Sequence, residues 1–161
     1  QEVRFRNQMQ GNFTQRFTTF VGGVQVIYGP VSLPTEMVPL DDLPPGGGTM
    51  DCNELQITQQ GESDEGSFHL LGKGNVRLEW FGFHARADEI NHDQSKSQYI
   101  LHSRGKRQNV DLWYSDEESG LPKHATGETF DFVVEQGALK RLKGTRMSGI
   151  PRCAFTDPSA K

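Results

Sequence analysis

The residues best suited to chemistry near neutral pH are five histidines, each set among alternating strand-like residues. The one dense polar cluster contains Asp88, Glu89, His92 and Asp93. His84, Asp88 and His92 would form a metal site if neighbouring strands brought them together. No G-x-S-x-G or H-E-x-x-H phrase occurs to support catalysis. We therefore expect no enzyme activity and no metal or other cofactor, with the histidines on solvated strand faces or in turns.

The two cysteines leave two interpretations open. Cys52 and Cys153 lie 101 positions apart, without a C-x-x-C phrase or a Cys/His cluster at zinc spacing. They are either two separate thiols or a single disulfide formed in an oxidising compartment.

Length, charge and hydropathy limit the kinds of protein this chain can be. The 161 residues predict one domain. The 17 basic and 21 acidic residues give a net charge of −4, which argues against nucleic acid as a partner because phosphate contacts need a basic surplus. No apolar run approaches the roughly 18 residues of a transmembrane helix.

Apolar residues at every second position, separated by polar ones, predict strands with one buried face. Glycine-containing turns punctuate these runs, and no helical period is sustained. The fold class expected is all-β: an open antiparallel β-roll or β-jellyroll. Clear examples of the alternation are Val24 and Val26; Val76, Leu78 and Trp80; Phe83, Ala85 and Ala87; and Phe130 and Phe132.

We expect a single domain over residues 1–150. Residues 30–48 hold several prolines and end in three glycines, so they are interpreted as a long excursion from the sheet. Residues 151–161 are interpreted as a loosely ordered tail.

A short phrase recurs along the chain. Residues 52–57, 87–92 and 127–132 share a small residue, an acidic or amide residue, any residue and then an apolar one. Each copy precedes a strand-like run that ends in glycine. Because one such hairpin cannot bury its apolar face alone, the repeat predicts stacked hairpin units sharing one core. The predicted edge segments of this stack are residues 13–28 and 139–147.

The repeated units resemble the OstA-like family of periplasmic lipopolysaccharide-transport proteins. The resemblance rests on residues 74–78, on residues 83–93 and on residues 96–101 with Gly105; residues 127–132 resemble a later phrase of the family. It implies a twisted β-jellyroll, open along one side, whose interior binds the acyl chains of a glycolipid. It also implies head-to-tail association through terminal edge strands, building a bridge across the periplasm.

An apolar trough between two facing sheets agrees with that role, because each buried acyl methylene gains roughly 0.8 kcal/mol. The same side chains would otherwise pack on one another as a closed core. Lys140, Arg141, Lys143 and Arg146 either solubilise the C-terminal edge or form a basic rim for glycolipid phosphates. The candidate lipid-binding residues are Val24, Val26, Val76, Leu78, Trp80, Phe83, Ile90, Leu101, Leu112, Phe130 and Phe132.

The leading hypothesis is therefore passive, non-enzymatic transport of lipopolysaccharide or another acylated lipid in the periplasm or cell envelope. The leader would already be removed, or the chain would be a domain of a longer one. Its partners would be the lipid and either further copies or other β-jellyroll envelope proteins. The alternative is an interaction module with a closed core that associates through edge strands. A third hypothesis is a carbohydrate-binding or carbohydrate-processing β-roll that uses outer histidines and aspartates.

Overall fold

A computed structural model describes residues 2–12, 16–28, 47–61, 66–80, 83–105, 108–115, 122–135 and 138–148. These residues form one open antiparallel sheet of eleven strands. Helical geometry within them is confined to a 3-10 turn at Gln94–Lys96, and none of it could span a membrane. The strands are β1 Glu2–Phe5, β2 Gln8–Asn12, β3 Phe17–Tyr28, β4 Gly48–Gln60, β5 Ser67–Trp80, β6 Phe83–Asp93, β7 Gln98–His102, β8 Val110–Ser115, β9 Pro122–Gly127, β10 Thr129–Glu135 and β11 Ala138–Thr145.

Strands β3 to β6 follow one another as an up-and-down meander. Four long strands, β3 to β6, pair in chain order, and β1 and β2 both pair with β3. Beyond β6 the sheet divides. One half of β6 pairs with β8, which pairs with β9; the other half pairs with β7, which continues through β10 to β11.

The long strands are interrupted at one common level. The pairing register shifts between Val21 and Val24 in β3, between Asp51 and Glu54 in β4, and between Lys73 and Val76 in β5. Such bulges bend a strand and raise its twist. We call this line of bends, at residues 22–23, 52–53, 74–75 and 88, the corner.

The corner folds the sheet into two layers. The first layer contains β2, β7, β10 and β11 with residues 17–21, 54–60, 67–73 and 89–93. The second layer contains β1, β8 and β9 with residues 24–28, 48–51, 76–80 and 83–87.

The inner faces of the two layers pack against each other. Phe83 of the second layer lies 5.1 Å from Phe132 of the first, measured between ring centroids. A Cβ atom built on Gly72 would lie 3.5 Å from the sulfur of Cys52 and 3.6 Å from that of Met50, so the layers touch near the corner as well. The core residues are Phe20, Val24, Val26, Met50, Cys52, Leu55, Leu70, Val76, Leu78, Ala85, Ala87, Ile90, Tyr99, Leu101, Val110, Leu112, Tyr114, Ala125, Phe130 and Phe132.

The expected all-β open antiparallel fold of stacked hairpins is confirmed. The repeated phrase marks the corner: its first two residues are Cys52 and Asn53 in β4, and Ala87 and Asp88 in β6. The third copy begins at residues 127–128, where β9 ends and the chain passes into β10. Each copy therefore lies where the chain passes from one layer to the other, within β4, within β6 or between β9 and β10.

The predicted N-terminal edge is wrong. Residues 17–28 form β3, which has β1 and β2 on one side and β4 on the other, so β1 and β2 form the edge. Gln8–Asn12 contains a single large apolar residue, Met9, and gives no alternating pattern. The C-terminal prediction is confirmed, because β11 pairs only with β10 among the described strands.

The excursion predicted at residues 30–48 ends earlier than expected. Gly48 is the first residue of β4 and is buried, because the indole of Trp80 occupies the place of its missing side chain. The other residues of that segment lie outside the described part of the chain, Gly47 excepted. The predicted tail at residues 151–161 also lies outside it.

Candidate functional site

The eleven candidate lipid-binding residues all lie between the two layers. Trp80 and Phe83 are partly exposed and pack on the core from its open side. The other nine are 0–1 % exposed, so in this state their contacts are with one another. The nine are Val24, Val26, Val76, Leu78, Ile90, Leu101, Leu112, Phe130 and Phe132.

Five rings close the side of the roll opposite the corner. Three come from cross-strand neighbours in the first layer: His92 stacks on Tyr99 at 4.0 Å and Tyr99 stacks on Phe132 at 5.3 Å. Trp80 and Phe83 reach over from the second layer, Trp80 lying 5.0 Å from Tyr99. We call these five residues the seam cluster. Trp80 and Phe83 are its partly exposed members, whereas His92, Tyr99 and Phe132 are buried.

His92 is the one histidine of the interior. It is 8 % exposed, and its Nδ1 donates a hydrogen bond to the carbonyl oxygen of Gln98 at 3.1 Å. Burial lowers its pKa, while that hydrogen bond acts in the opposite direction. The expectation that all five histidines are solvated is therefore wrong for His92, whose inward position follows from the alternation with Ile90.

Cys52 is a free thiol in the core, and Cys153 lies outside the described residues. Burial and the nearby charge of Asp51 raise the pKa of Cys52 to about 12. The thiol therefore remains protonated and chemically inert at neutral pH.

The residues considered for a metal site do not come together. His84 points outward from the second layer, Asp88 lies at the corner and His92 is inside the first layer. Across the described part of the chain, no group of three His, Cys, Asp or Glu side chains is placed to hold a metal ion.

One histidine–aspartate pair does form on the outer face of the second layer. His124 Nε2 lies 3.0 Å from Asp111 Oδ1, and the imidazole stacks on Trp113 at 4.7 Å. The nearby hydroxyls of Thr126 and Ser148 are 2.8 Å apart and hydrogen-bond to each other. Asp111 and Thr126 are direct cross-strand partners, so the two contacts lie side by side on this face.

Both ends of the roll expose apolar side chains. Met9 in β2 is the cross-strand partner of Phe20, so it lies on the core-facing side of the edge strand, yet it is 57 % exposed. At the other end Met147 lies against Gly144 and is 43 % exposed. The core therefore continues to each end of the described sheet and meets solvent there.

The C-terminal edge is basic and partly neutralised. Arg141 lies 3.6 Å from Asp131, and Arg146 lies 3.5 Å from Glu128. These pairs are solvent-exposed and contribute little to stability. All four basic side chains predicted at this edge are exposed: Lys140, Arg141, Lys143 and Arg146.

Sequence reasoning missed part of the interior, and the corner explains why. In β4 the alternation of Met50 and Cys52 is broken by Asn53 and resumes at Leu55. A bulge inserts a residue and reverses the parity of the pattern, so neither half gives a long alternating run. Tyr99, also missed, alternates with Leu101 and was detectable.

Comparisons with family models, curated proteins and solved structures find no match to this chain. Its function is therefore argued from the residues and their geometry.

Proposed function

We propose that this protein carries acylated lipid, of the lipopolysaccharide type, within its interior. The observation that carries the proposal is an apolar interior that has core residues in every strand from β3 to β10 and reaches solvent at three places. Two are the ends of the roll, at Met9 and Met147, and the third is the seam cluster. The resemblance to the OstA-like family implies a β-jellyroll that is open along one side, whereas here the seam cluster closes that side.

Lipid entry would use the seam. The backbone hydrogen bonds of the ladders lie within each layer, whereas Trp80 and Phe83 meet the opposite layer through ring contacts. An acyl chain that displaces these rings would replace the contacts between rings with contacts between the rings and its own methylenes, and both kinds are apolar. Each methylene buried adds roughly 0.8 kcal/mol, and the polar head group stays in water outside the seam.

End-to-end assembly would extend the interior from one copy to the next. β2 contains no charged residue, so nothing in its side chains repels an added strand. A neighbouring copy that pairs its β11 with this edge would cover Met9 and Met147 together and continue the first layer. Other β-jellyroll proteins of the cell envelope would fit the same edges.

A reversible lock on the seam tests the carrier proposal. In a Cys153→Ser background, Phe83→Cys and Phe132→Cys would be joined by a short reducible cross-linker. We expect native mass spectrometry to detect bound lipid A or phospholipid in the reduced protein but little in the cross-linked one. Equal lipid retention in both states, or none in the unmodified protein, would contradict a carrier that loads through the seam.

The closed-core interaction module is the second candidate function. It is favoured by the close packing of the interior, where nine of the eleven candidates are 0–1 % exposed. Sedimentation velocity with Met9→Lys tests it, and Val21→Lys is a matched control because Val21 is 37 % exposed on the outer face. Concentration-dependent assembly that Met9→Lys abolishes and Val21→Lys leaves intact, without lipid binding, would favour the module.

A further inference from the structure

A cavity of about 680 Å³, lined by polar and apolar groups in similar measure, opens at the corner, away from the seam. We propose that it binds a small phosphorylated sugar, recognised through its phosphate and its hydroxyls. This inference does not rest on the proposed function, because the cavity lies at the corner, away from the seam cluster and from Met9 and Met147; its lining also includes the core residues Val24 and Cys52. Its polar side chains are Arg6, Gln25, Asp51, Asn53, Asn75 and Arg77.

The bend of the sheet builds the cavity. Gln25, Asp51 and Arg77 are direct cross-strand partners in three successive strands and form one row on the outer face. At the corner, Gly23 and Asn75 adopt left-handed backbone conformations, with φ of 80° and 47°. The strands turn away there and leave a concave surface beside the row.

The Arg6 side chain comes from the turn between β1 and β2 and lies beside Gly23. A Cβ atom built on Gly23 would lie 3.7 Å from the Cδ of Arg6. Arg6 thus borders the cavity from the turn between β1 and β2, and Arg77 borders it from β5.

The charges of the cavity favour an anion. Neither Arg6 nor Arg77 makes an ion pair with any described residue, and Asp51 accepts a hydrogen bond from the Gln25 amide at 3.1 Å. Arg77 lies between Asp51 and Arg86 in its cross-strand row, so with Arg6 the cavity carries two positive charges against the single negative charge of Asp51. Guanidinium groups bind phosphate oxygens with paired, charge-assisted hydrogen bonds.

The size and the amides favour a sugar phosphate over a bare anion. The volume lies within the roughly 300–1,000 Å³ typical of small-molecule sites, which leaves most of the space to groups other than the phosphate. Gln25, Asn53 and Asn75 can each donate and accept hydrogen bonds, and Asp51 can accept them from hydroxyls.

Isothermal titration calorimetry with glucose 1-phosphate, glucose 6-phosphate, inorganic phosphate and glucose tests the proposal. We expect saturable binding of at least one hexose phosphate, at least ~10-fold weaker binding of inorganic phosphate, and no binding of glucose, because the site needs both charge and hydroxyls. Equal affinity for inorganic phosphate would overturn the sugar assignment, and no binding of either hexose phosphate would overturn the site.

Single substitutions locate the binding. Arg77→Gln and Arg6→Gln should each weaken hexose phosphate binding by about 10-fold or more, because each removes a charged donor pair. Arg104→Gln removes the same charge from an exposed position that does not line the cavity and should bind as the original protein does. Arg6 and Arg77 are exposed, so the circular dichroism spectra of their variants should match that of the original protein. Equal loss in the Arg104 variant, or no loss in the other two, would contradict the assignment.

Discussion

The indole of Trp80 lies edge-on to the phenol ring of Tyr99, with centroids 5.0 Å apart and planes 78° apart. The two residues belong to different layers and meet on the side away from the corner. Because β5 and β7 are separated in the sheet by β6, this contact forms only when the sheet has folded over. It therefore reports on closure of the roll as well as on local packing.

Replacement of this tryptophan should weaken the closed roll. Truncation of a buried Trp costs about 3–5 kcal/mol, and the partial exposure of Trp80 reduces the expected loss to about 2–4 kcal/mol. Urea unfolding of Trp80→Ala measures the change. Trp113→Ala is the control, since Trp113 lies on the outer face with His84 and His124 and should cost only about 1 kcal/mol. Equal losses would show that the seam contact has no special role in closure.

The sequence predicted buried residues best where the part of a strand on one side of the corner alternates apolar and polar residues without interruption. Val76 and Leu78 were placed correctly inside because nothing interrupts that run. The corner was not foreseen as a bend: Asn53 and Asn75 look like turn residues within strands, and only the register of several strands shows that the bends align. The corner cavity was missed for the same reason, because it depends on that alignment and not on a motif.

One of the left-handed glycines of the corner, Gly74, gives a second prediction. Gly74 has φ of 75°, and a Cβ atom there would lie 2.7 Å from the Asn53 amide nitrogen. Gly74→Ala should therefore destabilise the fold by about 1–3 kcal/mol, through backbone strain and the clash. Gly11→Ala is the control, because its new methyl would meet atoms no nearer than 3.8 Å. Thermal unfolding of both variants compares them, and a similar melting temperature for the two would contradict the strained corner.

Thiol labelling provides a third prediction. Because burial raises the pKa of Cys52 to about 12, its thiolate is scarce at pH 8 and its sulfur is shielded. In a Cys153→Ser background, we expect 5,5′-dithiobis(2-nitrobenzoate) to react with Cys52 only slowly. Addition of guanidinium chloride should expose the thiol and give rapid, complete reaction. Fast labelling without denaturant would show that the layers part readily near the corner.

The buried imidazole of His92 gives a fourth prediction, on pH. Burial lowers the pKa of His92 in the folded protein; the charge of Asp93 raises it slightly and that of His69 lowers it. As pH falls below the ordinary value near 6.5, the unfolded chain binds a proton that the folded protein does not. Stability is therefore complete above about pH 7 and decreases on acidification, by up to about 1.4 kcal/mol per pH unit for one group.

His92→Phe should make that pH dependence shallower between pH 7 and 5, because a phenyl ring keeps the stack on Tyr99 and cannot be protonated. Part of the slope should remain, since burial also lowers the pKa of His102. His84→Gln is the control, because it removes an exposed imidazole that lies outside the seam cluster. Urea unfolding at several pH values measures the slopes. An unchanged slope in His92→Phe would show that this imidazole accepts its proton in the folded seam as readily as in the unfolded chain, which requires water to reach the interior at that point.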